Sequence, residues 1–272
     1  MHLIHAIILG IVEGVTEFLP ISSTGHLTIA ETLLGYQVDD VSITAFTAVV
    51  QIGAIAAAVV YFWKDIVRIA MGWWRGLRKP SKRGNDYYMG WYIIIGSLPI
   101  ALIGILLKPM IETTFRGIWV VAMGLILWSI VMFMADRKGT QARSEHDMNW
   151  KDALYMGAMQ CFALIPGVSR SGATISAGLF RGIDRVGATR LSFFLGIPAL
   201  LAAGGLQAAS HASQISQHVG WGSMIVGIIV SFGVGYASIA WLLKFVSGHT
   251  FKPFVIYRVV LGLAILTALC VF

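Results

Sequence analysis

The chain has 272 residues, of which 57% are hydrophobic and only 12% are charged, and its formal net charge is +7. Soluble domains carry about 25% charged residues, so this composition excludes a soluble globular protein. It also excludes a disordered chain, which would have few apolar residues. The basic residues are spread among apolar runs rather than gathered on a polar domain, so nucleic acid is not an expected partner. The composition therefore predicts a membrane protein.

Ten hydrophobic segments follow one another along the chain. They cover residues 3–19, 23–34, 42–63, 88–107, 118–135, 153–165, 170–182, 187–209, 222–243 and 254–272. Six of them have 18 or more residues and are long enough to cross a bilayer. The other four form two pairs, each interrupted by a turn rich in Pro and Ser, and short apolar segments of this kind are typical of re-entrant hairpins. The predicted fold is an all-α polytopic membrane protein with six transmembrane helices and two re-entrant helix hairpins.

The distribution of Lys and Arg predicts how these segments are oriented. The loops 64–87, 136–152, 181–190 and 244–253 carry 16 of the 20 basic residues. The loops 35–41 and 210–221 carry none, and the loop 108–117 carries Lys108 and Arg116. Because cytoplasmic loops are enriched in Lys and Arg, the first set is predicted to be cytoplasmic and the second to face outward. The first hairpin then enters from outside and the second from the cytoplasm.

The two halves of the chain are predicted to be an inverted-topology repeat, because each holds one hairpin followed by three spans in the opposite orientation. A constant offset of 147 residues pairs Gly10 with Gly157, Ser22 with Ser169 and Gly25 with Gly172. We therefore expect a single integral membrane domain, residues 1–272, with internal repeats at about 1–135 and 136–272. Chance similarity between apolar runs is the alternative explanation of the offset.

Two carboxylates lie in the first short segment. Glu13 and Glu17 are four residues apart and share one helix face. Ionisable groups at membrane depth are energetically expensive and usually line a cavity or pathway. A pair of carboxylates reachable from water suits a hard divalent cation or acid–base chemistry. The alternative is an interfacial pair near the N-terminus.

Hydroxyl groups are concentrated in the turn that follows. Ser22, Ser23 and Thr24 stand between Pro20 and the next helix, and His26 is nearby. The free N–H groups of a helix N-terminus, together with hydroxyls, form an anion site. Simple N-capping is the alternative, but it explains one hydroxyl rather than three. His26, close to Ser23, is a candidate base or nucleophile.

The second hairpin has an equivalent turn with a guanidinium group. The turn begins with Pro166-Gly167 and continues with Ser169, Arg170, Ser171 and Thr174. An Arg side chain can form two parallel hydrogen bonds to phosphate oxygens. The two turns are expected to meet near the midplane and form a site for a metal-bound phosphate or pyrophosphate. Arg258 lies about four residues into the last segment, where it either snorkels to the surface or contacts phosphate.

The two turns resemble the motifs of the undecaprenyl-diphosphatase family, also called bacitracin-resistance proteins. The resemblance covers EGVTEFLPISSTGH at residues 13–26, PGVSRSGAT at residues 166–174 and the C-terminal pair Tyr257-Arg258. It implies hydrolysis of undecaprenyl diphosphate to undecaprenyl phosphate and inorganic phosphate, which recycles the lipid carrier of cell-wall synthesis. It also implies a bacterial inner-membrane protein whose site opens to the extracytoplasmic side.

The resemblance assigns roles to the candidate residues. Glu13 and Glu17 would hold a divalent cation, Mg²⁺ or Ca²⁺, or act in proton transfer. Ser23 would be the nucleophile, and His26 would be its activator or the alternative nucleophile. The residues expected to hold the phosphates are Arg170, Ser169, Ser171 and Thr174, with Ser22, Thr24 and Arg258 as further candidates. The expected partners are a polyprenyl diphosphate lipid and membrane lipids, and homodimerisation is left open.

A second function class fits part of the same pattern. Inverted repeats with helices broken at the midplane are a transporter architecture, so a transporter or flippase of polyprenyl phosphate is the alternative. The cluster of hydroxyls, His26 and carboxylates favours chemistry, because transport alone needs no nucleophile.

Overall fold

The computed structural model describes residues 1–37, 41–107, 117–214 and 220–271. These ranges contain eleven α-helices, three short 3-10 helices and one isolated β-bridge between Arg143 and Ile183, and no strand. The helices are α1 (Leu3–Thr16), α2 (Ser23–Leu33), α3 (Val41–Tyr61), α4 (Trp63–Arg78), α5 (Asn85–Leu106), α6 (Ile118–Lys138), α7 (Trp150–Gln160), α8 (Arg170–Phe180), α9 (Arg185–Gln214), α10 (Trp221–Val246) and α11 (Lys252–Val271). The all-helical prediction is confirmed for this part of the chain.

Six of the described helices are long and apolar enough to cross a membrane. These stretches are Ile43–Tyr61, Asn85–Leu106, Ile118–Lys138, Arg185–Ala202, Trp221–Val246 and Lys252–Val271. They coincide with the six predicted spans, and the protein is a multi-pass membrane protein. Residues 108–116, with Lys108 and Arg116, and residues 38–40 and 215–219 of the predicted outer loops lie outside the described residues.

The four helices of the two predicted hairpins are too short to span a bilayer, as the sequence predicted. Helix α1 has 14 residues, and α2, α7 and α8 have 11 each. At a rise of 1.5 Å per residue they are about 17–21 Å long, against a hydrocarbon core of about 30 Å. Helix α1 ends at Thr16, three residues before the predicted end at residue 19. The residue before a proline is driven out of the α region, so Pro20 limits how far the helix can continue.

Helix α4 was missed by the sequence analysis, which placed residues 64–87 in a loop. It was missed because basic residues interrupt its apolar pattern, so no continuous hydrophobic run marks it. A helical period was nevertheless present, with apolar side chains at Ile66, Ile69, Ala70, Trp73 and Leu77. The helix follows α3 after the single residue Phe62 and packs along α5.

Ion pairs connect α4 to the start of α9. The Arg190 guanidinium contacts the Asp65 carboxylate at 2.9 Å and the Glu145 carboxylate at 2.7 Å. Burial acts to raise the pKa of Asp65, but hydrogen bonds from Arg68 and Arg190 outweigh it and hold that pKa below its ordinary value. The Asp65 carboxylate therefore remains charged at neutral pH and holds α4 against α9.

The first helix of each short pair packs on a helix from the other half of the chain. Helix α1 lies on α10, where a Cβ on Gly10 would come 2.8 Å from the Gly227 carbonyl oxygen. Helix α7 lies on α5 in the same way, because Gly157 approaches the backbone of Gly96 too closely to admit a side chain. Small residues allow such close contacts between membrane helices. These contacts bring the turns at Ser22 and Ser169 into the middle of the bundle.

Candidate active site

The two polar turns begin their helices with the same unusual backbone. Ser22 is the N-cap of α2 with φ 77°, and Ser169 is the N-cap of α8 with φ 76°. The Ser22 hydroxyl accepts a hydrogen bond from Gly25 N at 3.4 Å, and the Ser169 hydroxyl accepts one from Gly172 N at 3.2 Å. A positive φ is strained for serine, and such strain is concentrated at functional sites. The equivalence of the two turns therefore extends from sequence to geometry.

Both candidate carboxylates are buried beside the first turn. Glu13 is 1% exposed and Glu17 is 6% exposed. The Glu13 Oε1 atom accepts no hydrogen bond from any of the described residues. A buried carboxylate oxygen without a partner is energetically unfavourable, so this atom is the part of the site that best fits a cation. The described residues contain no group of three or more His, Cys, Asp and Glu side chains suited to a metal ion.

Glu17 connects the two turns. Its Oε2 accepts a hydrogen bond from the Ser23 hydroxyl at 2.8 Å, and its Oε1 lies 3.4 Å from Arg170 Nη2. Ser23 is the first residue of α2 and Arg170 is the first residue of α8. A carboxylate that accepts the proton of a serine hydroxyl has the geometry of a general base. A hydroxyl, a carboxylate and a guanidinium thus meet where the N-termini of two helices converge.

Arg170 is held in place by α9. Its Nη1 donates to the Ser192 carbonyl oxygen at 3.0 Å, and its buried Nε has no hydrogen-bond partner among the described residues. The Thr174 hydroxyl donates to the Ser192 hydroxyl at 2.6 Å, which fixes α8 against the same turn of α9. The unpaired Nε leaves the guanidinium with a donor that a bound anion can use.

The remaining hydroxyls of the second turn face the first one. The Ser171 hydroxyl donates to the Leu19 carbonyl oxygen at 3.1 Å and lies 3.0 Å from the Ser169 hydroxyl. Thr24, in contrast, is exposed on the first turn of α2. The structure therefore brings most of the candidate phosphate-binding hydroxyls together, and Thr24 lies at the edge of the group.

His26 is close to Ser23 in sequence but does not contact its hydroxyl. Its Nδ1 lies 2.7 Å from the Ser22 carbonyl oxygen, and its Nε2 lies 2.6 Å from the Tyr257 hydroxyl. The sequence analysis expected His26 to activate Ser23 and Glu17 to hold a cation or act in proton transfer, and the structure places Glu17 in contact with the Ser23 hydroxyl. Tyr257 was not a candidate site residue, because nothing in the sequence indicates that a residue 231 positions away reaches His26.

Arg258 is fully buried, so the interpretation that it snorkels to the surface is wrong. Its guanidinium donates to the carbonyl oxygens of Pro20, Gly167 and Val168 at 2.9, 2.9 and 3.0 Å. These carbonyls belong to the two turns, and Arg258 therefore holds one turn against the other. Its contact with phosphate remains a prediction.

Fold and site together define a helical multi-pass membrane protein with a buried hydroxyl–carboxylate–guanidinium site. The family model described as bacitracin resistance protein BacA matches residues 6–264, and the chain belongs to that family. It is 55% identical over 267 residues to undecaprenyl-diphosphatase 3 of Frankia casuarinae, with 98% of this chain and 96% of the relative covered. It is also 55% identical over 274 residues to an undecaprenyl-diphosphatase of Cutibacterium acnes, with the same coverage. An undecaprenyl-diphosphatase of Acidothermus cellulolyticus is 51% identical over 272 residues, with 99% and 97% covered.

Gly196 is expected to be essential for the position of Arg170. A Cβ at this residue would overlap the guanidinium, whereas a Cβ on Gly205 of the same helix would meet nothing within 4 Å. Gly196→Ala should therefore displace Arg170 and lower phosphatase kcat about 10²-fold, as misplaced catalytic groups typically do. Phosphate release by the purified variants measures the effect. Gly205→Ala is the matched control, and equal activity of the two variants would contradict this account of Arg170.

Proposed function

We propose that the protein hydrolyses undecaprenyl diphosphate to undecaprenyl phosphate and inorganic phosphate, and so recycles the lipid carrier of cell-wall synthesis. The observation that carries the proposal is Glu17, whose carboxylate contacts both the Ser23 hydroxyl and the Arg170 guanidinium. Membership of the BacA family and the names of the relatives support the same activity. The substrate class is a polyprenyl diphosphate lipid, which suits a site buried in a membrane protein.

Binding of the diphosphate uses the two helix N-termini. Arg170 pairs with the terminal phosphate oxygens, as its planar donors allow. The phosphates are surrounded by hydroxyl groups from both turns, namely those of Ser169, Ser171, Thr174, Ser22 and Thr24. The free N–H groups at the N-termini of α2 and α8 favour negative charge there. The apolar tail extends into the surrounding bilayer.

The reaction begins at Ser23. Its Oγ attacks the terminal phosphorus while its proton passes to Glu17 Oε2, and the bond from that phosphorus to the bridging oxygen breaks to release undecaprenyl phosphate. Glu17 passes this proton to the departing undecaprenyl phosphate and is ionised again. Water then attacks the phosphoserine, and Glu17 takes a proton from the water and returns it to Ser23 Oγ as the bond from Oγ to phosphorus breaks and inorganic phosphate leaves. The competing path is direct attack by water, with Ser23 only positioning phosphate. Arg170 stabilises the charge on the equatorial oxygens in either path.

A divalent cation, Mg²⁺ or Ca²⁺, is part of the proposal. Glu13 and Glu17 would hold it, because hard cations prefer carboxylate oxygens and Glu13 Oε1 has no other partner in the described chain. The cation would supply charge neutralisation for the diphosphate. The contribution of the chain itself is to hold the two carboxylates at the turn, away from competing cationic side chains other than Arg170.

The finer architecture is proposed as an inverted-topology repeat of about residues 1–135 and 136–272 in one membrane domain, with two re-entrant hairpins formed by α1–α2 and α7–α8. The matched N-caps at Ser22 and Ser169 support it. The exchanged packing, α1 on α10 and α7 on α5, supports it as well. In the proposed orientation the basic loops are cytoplasmic and the site opens to the extracytoplasmic side of the bacterial inner membrane.

The orientation predicts which loops an impermeant thiol reagent reaches in intact cells. Cys161 and Cys270 are first replaced by serine, and single cysteines are then introduced at the exposed positions Gln37 and Ser81. Gln37→Cys should be labelled in intact cells, and Ser81→Cys only after lysis. Labelling of Ser81→Cys but not Gln37→Cys in intact cells would contradict the orientation.

Hydrolysis is separated from transport by an assay in detergent micelles, which have no second leaflet. The purified protein with undecaprenyl diphosphate and Mg²⁺ should release phosphate and undecaprenyl phosphate in equal amounts. An excess of chelator should stop the release. A flippase without phosphatase activity would release no phosphate, and that result would reject the proposed function in favour of transport.

A further inference from the structure

Two hydrogen bonds select the tautomer of the neutral His26 ring. The Ser22 carbonyl oxygen, 2.7 Å from Nδ1, can only accept a hydrogen bond, so Nδ1 must carry a hydrogen and donate it. In a neutral imidazole the other nitrogen, Nε2, is then an acceptor. The Tyr257 hydroxyl, 2.6 Å away, therefore donates to the Nε2 atom of the neutral ring. The two contacts thus favour, for the neutral ring, the tautomer with hydrogen on Nδ1.

The orientation of the ring is fixed as well. The His26 and Tyr257 rings are stacked with an interplanar angle of 13° and centroids 5.6 Å apart. Tyr257 is followed directly by Arg258, whose guanidinium binds carbonyl oxygens of both turns. Helix α11 thus has little freedom beside the site, and the Tyr257 hydroxyl is held at a constant position relative to α2.

We propose that Tyr257 is a positioning residue for His26, which its hydroxyl holds in one tautomer and one orientation beside the attacking Ser23. The inference rests on the proposed phosphatase function. Among the described residues, no hydrogen bond joins Tyr257 to Ser23, Glu17 or Arg170, whereas one joins its hydroxyl to His26. The effect of that hydroxyl is therefore expected to pass through His26. Loss of the partner that fixes the tautomer and orientation of a metal-bound histidine costs about 10–100-fold in metal affinity or activity. We expect a similar loss for His26, the residue expected from the sequence to assist Ser23.

The variant Tyr257→Phe retains the stacked ring and removes only the hydroxyl. We expect kcat for phosphate release to fall about ten-fold or more with KM unchanged. The lost hydrogen bond orients His26 for the transition state and does not contribute to substrate binding. Tyr236→Phe is the matched control, since Tyr236 is similarly exposed (42%, against 45% for Tyr257) and packs on Tyr61. It should retain wild-type kcat.

A second measurement does not depend on activity. The ¹⁵N NMR spectrum of histidine-labelled protein in lipid nanodiscs, with His26→Gln to identify the signal, reports the tautomer of His26. Wild type and Tyr236→Phe should show hydrogen on Nδ1 alone, and Tyr257→Phe should show a mixture of tautomers. An unchanged kcat or an unchanged tautomer in Tyr257→Phe overturns the proposal. Absence of hydrolysis by the wild type would instead reject the phosphatase function, and the NMR result would still test the contact.

Discussion

Glu17→Gln is expected to lower kcat for undecaprenyl diphosphate hydrolysis about 10³-fold, within the 10²–10⁴ range of general acid–base catalysis. The substitution preserves shape, but an amide cannot take the Ser23 proton, and it no longer balances the charge of Arg170, 3.4 Å away. It also removes one of the two proposed cation ligands. Phosphate release by purified protein measures the effect.

The control for Glu17→Gln is Glu145→Gln. Glu145 lies outside the site, and Arg190, its partner, keeps a second ion pair with Asp65 after the change. The pair is partly buried, but Arg190 keeps its contact with Asp65, so this variant should fold and retain its activity. Wild-type kcat in Glu17→Gln, in a preparation that elutes as the folded protein does, would exclude Glu17 as the base.

Arg170→Ala is expected to lower kcat by about 10³-fold or more, as loss of a transition-state arginine does in phosphoryl transfer. Arg170→Lys should recover only a small part of this activity. The guanidinium contacts the Ser192 carbonyl oxygen and the Glu17 carboxylate at the same time, and its Nε–H remains available to an anion. The single ammonium group of a lysine cannot present the same planar set of donors.

Arg170→Lys, rather than Arg170→Ala, decides whether the effect is catalytic. Removing all charge leaves the buried Glu17 carboxylate without its partner, which is itself destabilising by about 3–5 kcal/mol. The Lys variant keeps the charge and therefore the fold. Arg75→Lys, at an exposed position on α4, is the control for the substitution type. Full activity in Arg170→Lys would show that only a point charge is needed, and the bidentate phosphate contact would be wrong.

The sequence predicted the parts of the fold that local composition determines. Continuous apolar runs marked the six spans, and Pro20 and the Ser-rich turns marked the breaks in the short helices, because both signals are local. Helix α4 escaped detection because its apolar residues recur at a helical period among arginines and lysines. Its contact with α9 through Asp65 and Arg190 joins residues 125 positions apart, and no local pattern encodes it.

The candidate site was predictable as a set of residues but not as a set of contacts. The sequence suggested His26 as the activator of Ser23, and only the position of the turn after α1 places the Glu17 carboxylate on that hydroxyl. Arg170 reaches Glu17 across 153 residues because the first helix of each short pair packs on a helix from the other half of the chain. The same long-range packing buries Arg258 between the turns, at a position that sequence alone placed near the membrane surface.

Hydrolysis in H₂¹⁸O tests the central claim most directly, because it reports which phosphorus atom is attacked. The purified protein, undecaprenyl diphosphate and Mg²⁺ are incubated in labelled water, and both products are analysed by mass spectrometry. Attack at the terminal phosphorus, either by water or through a phosphoserine at Ser23, places one ¹⁸O in inorganic phosphate and none in undecaprenyl phosphate. Label in undecaprenyl phosphate, or no release of phosphate at all, would contradict the account.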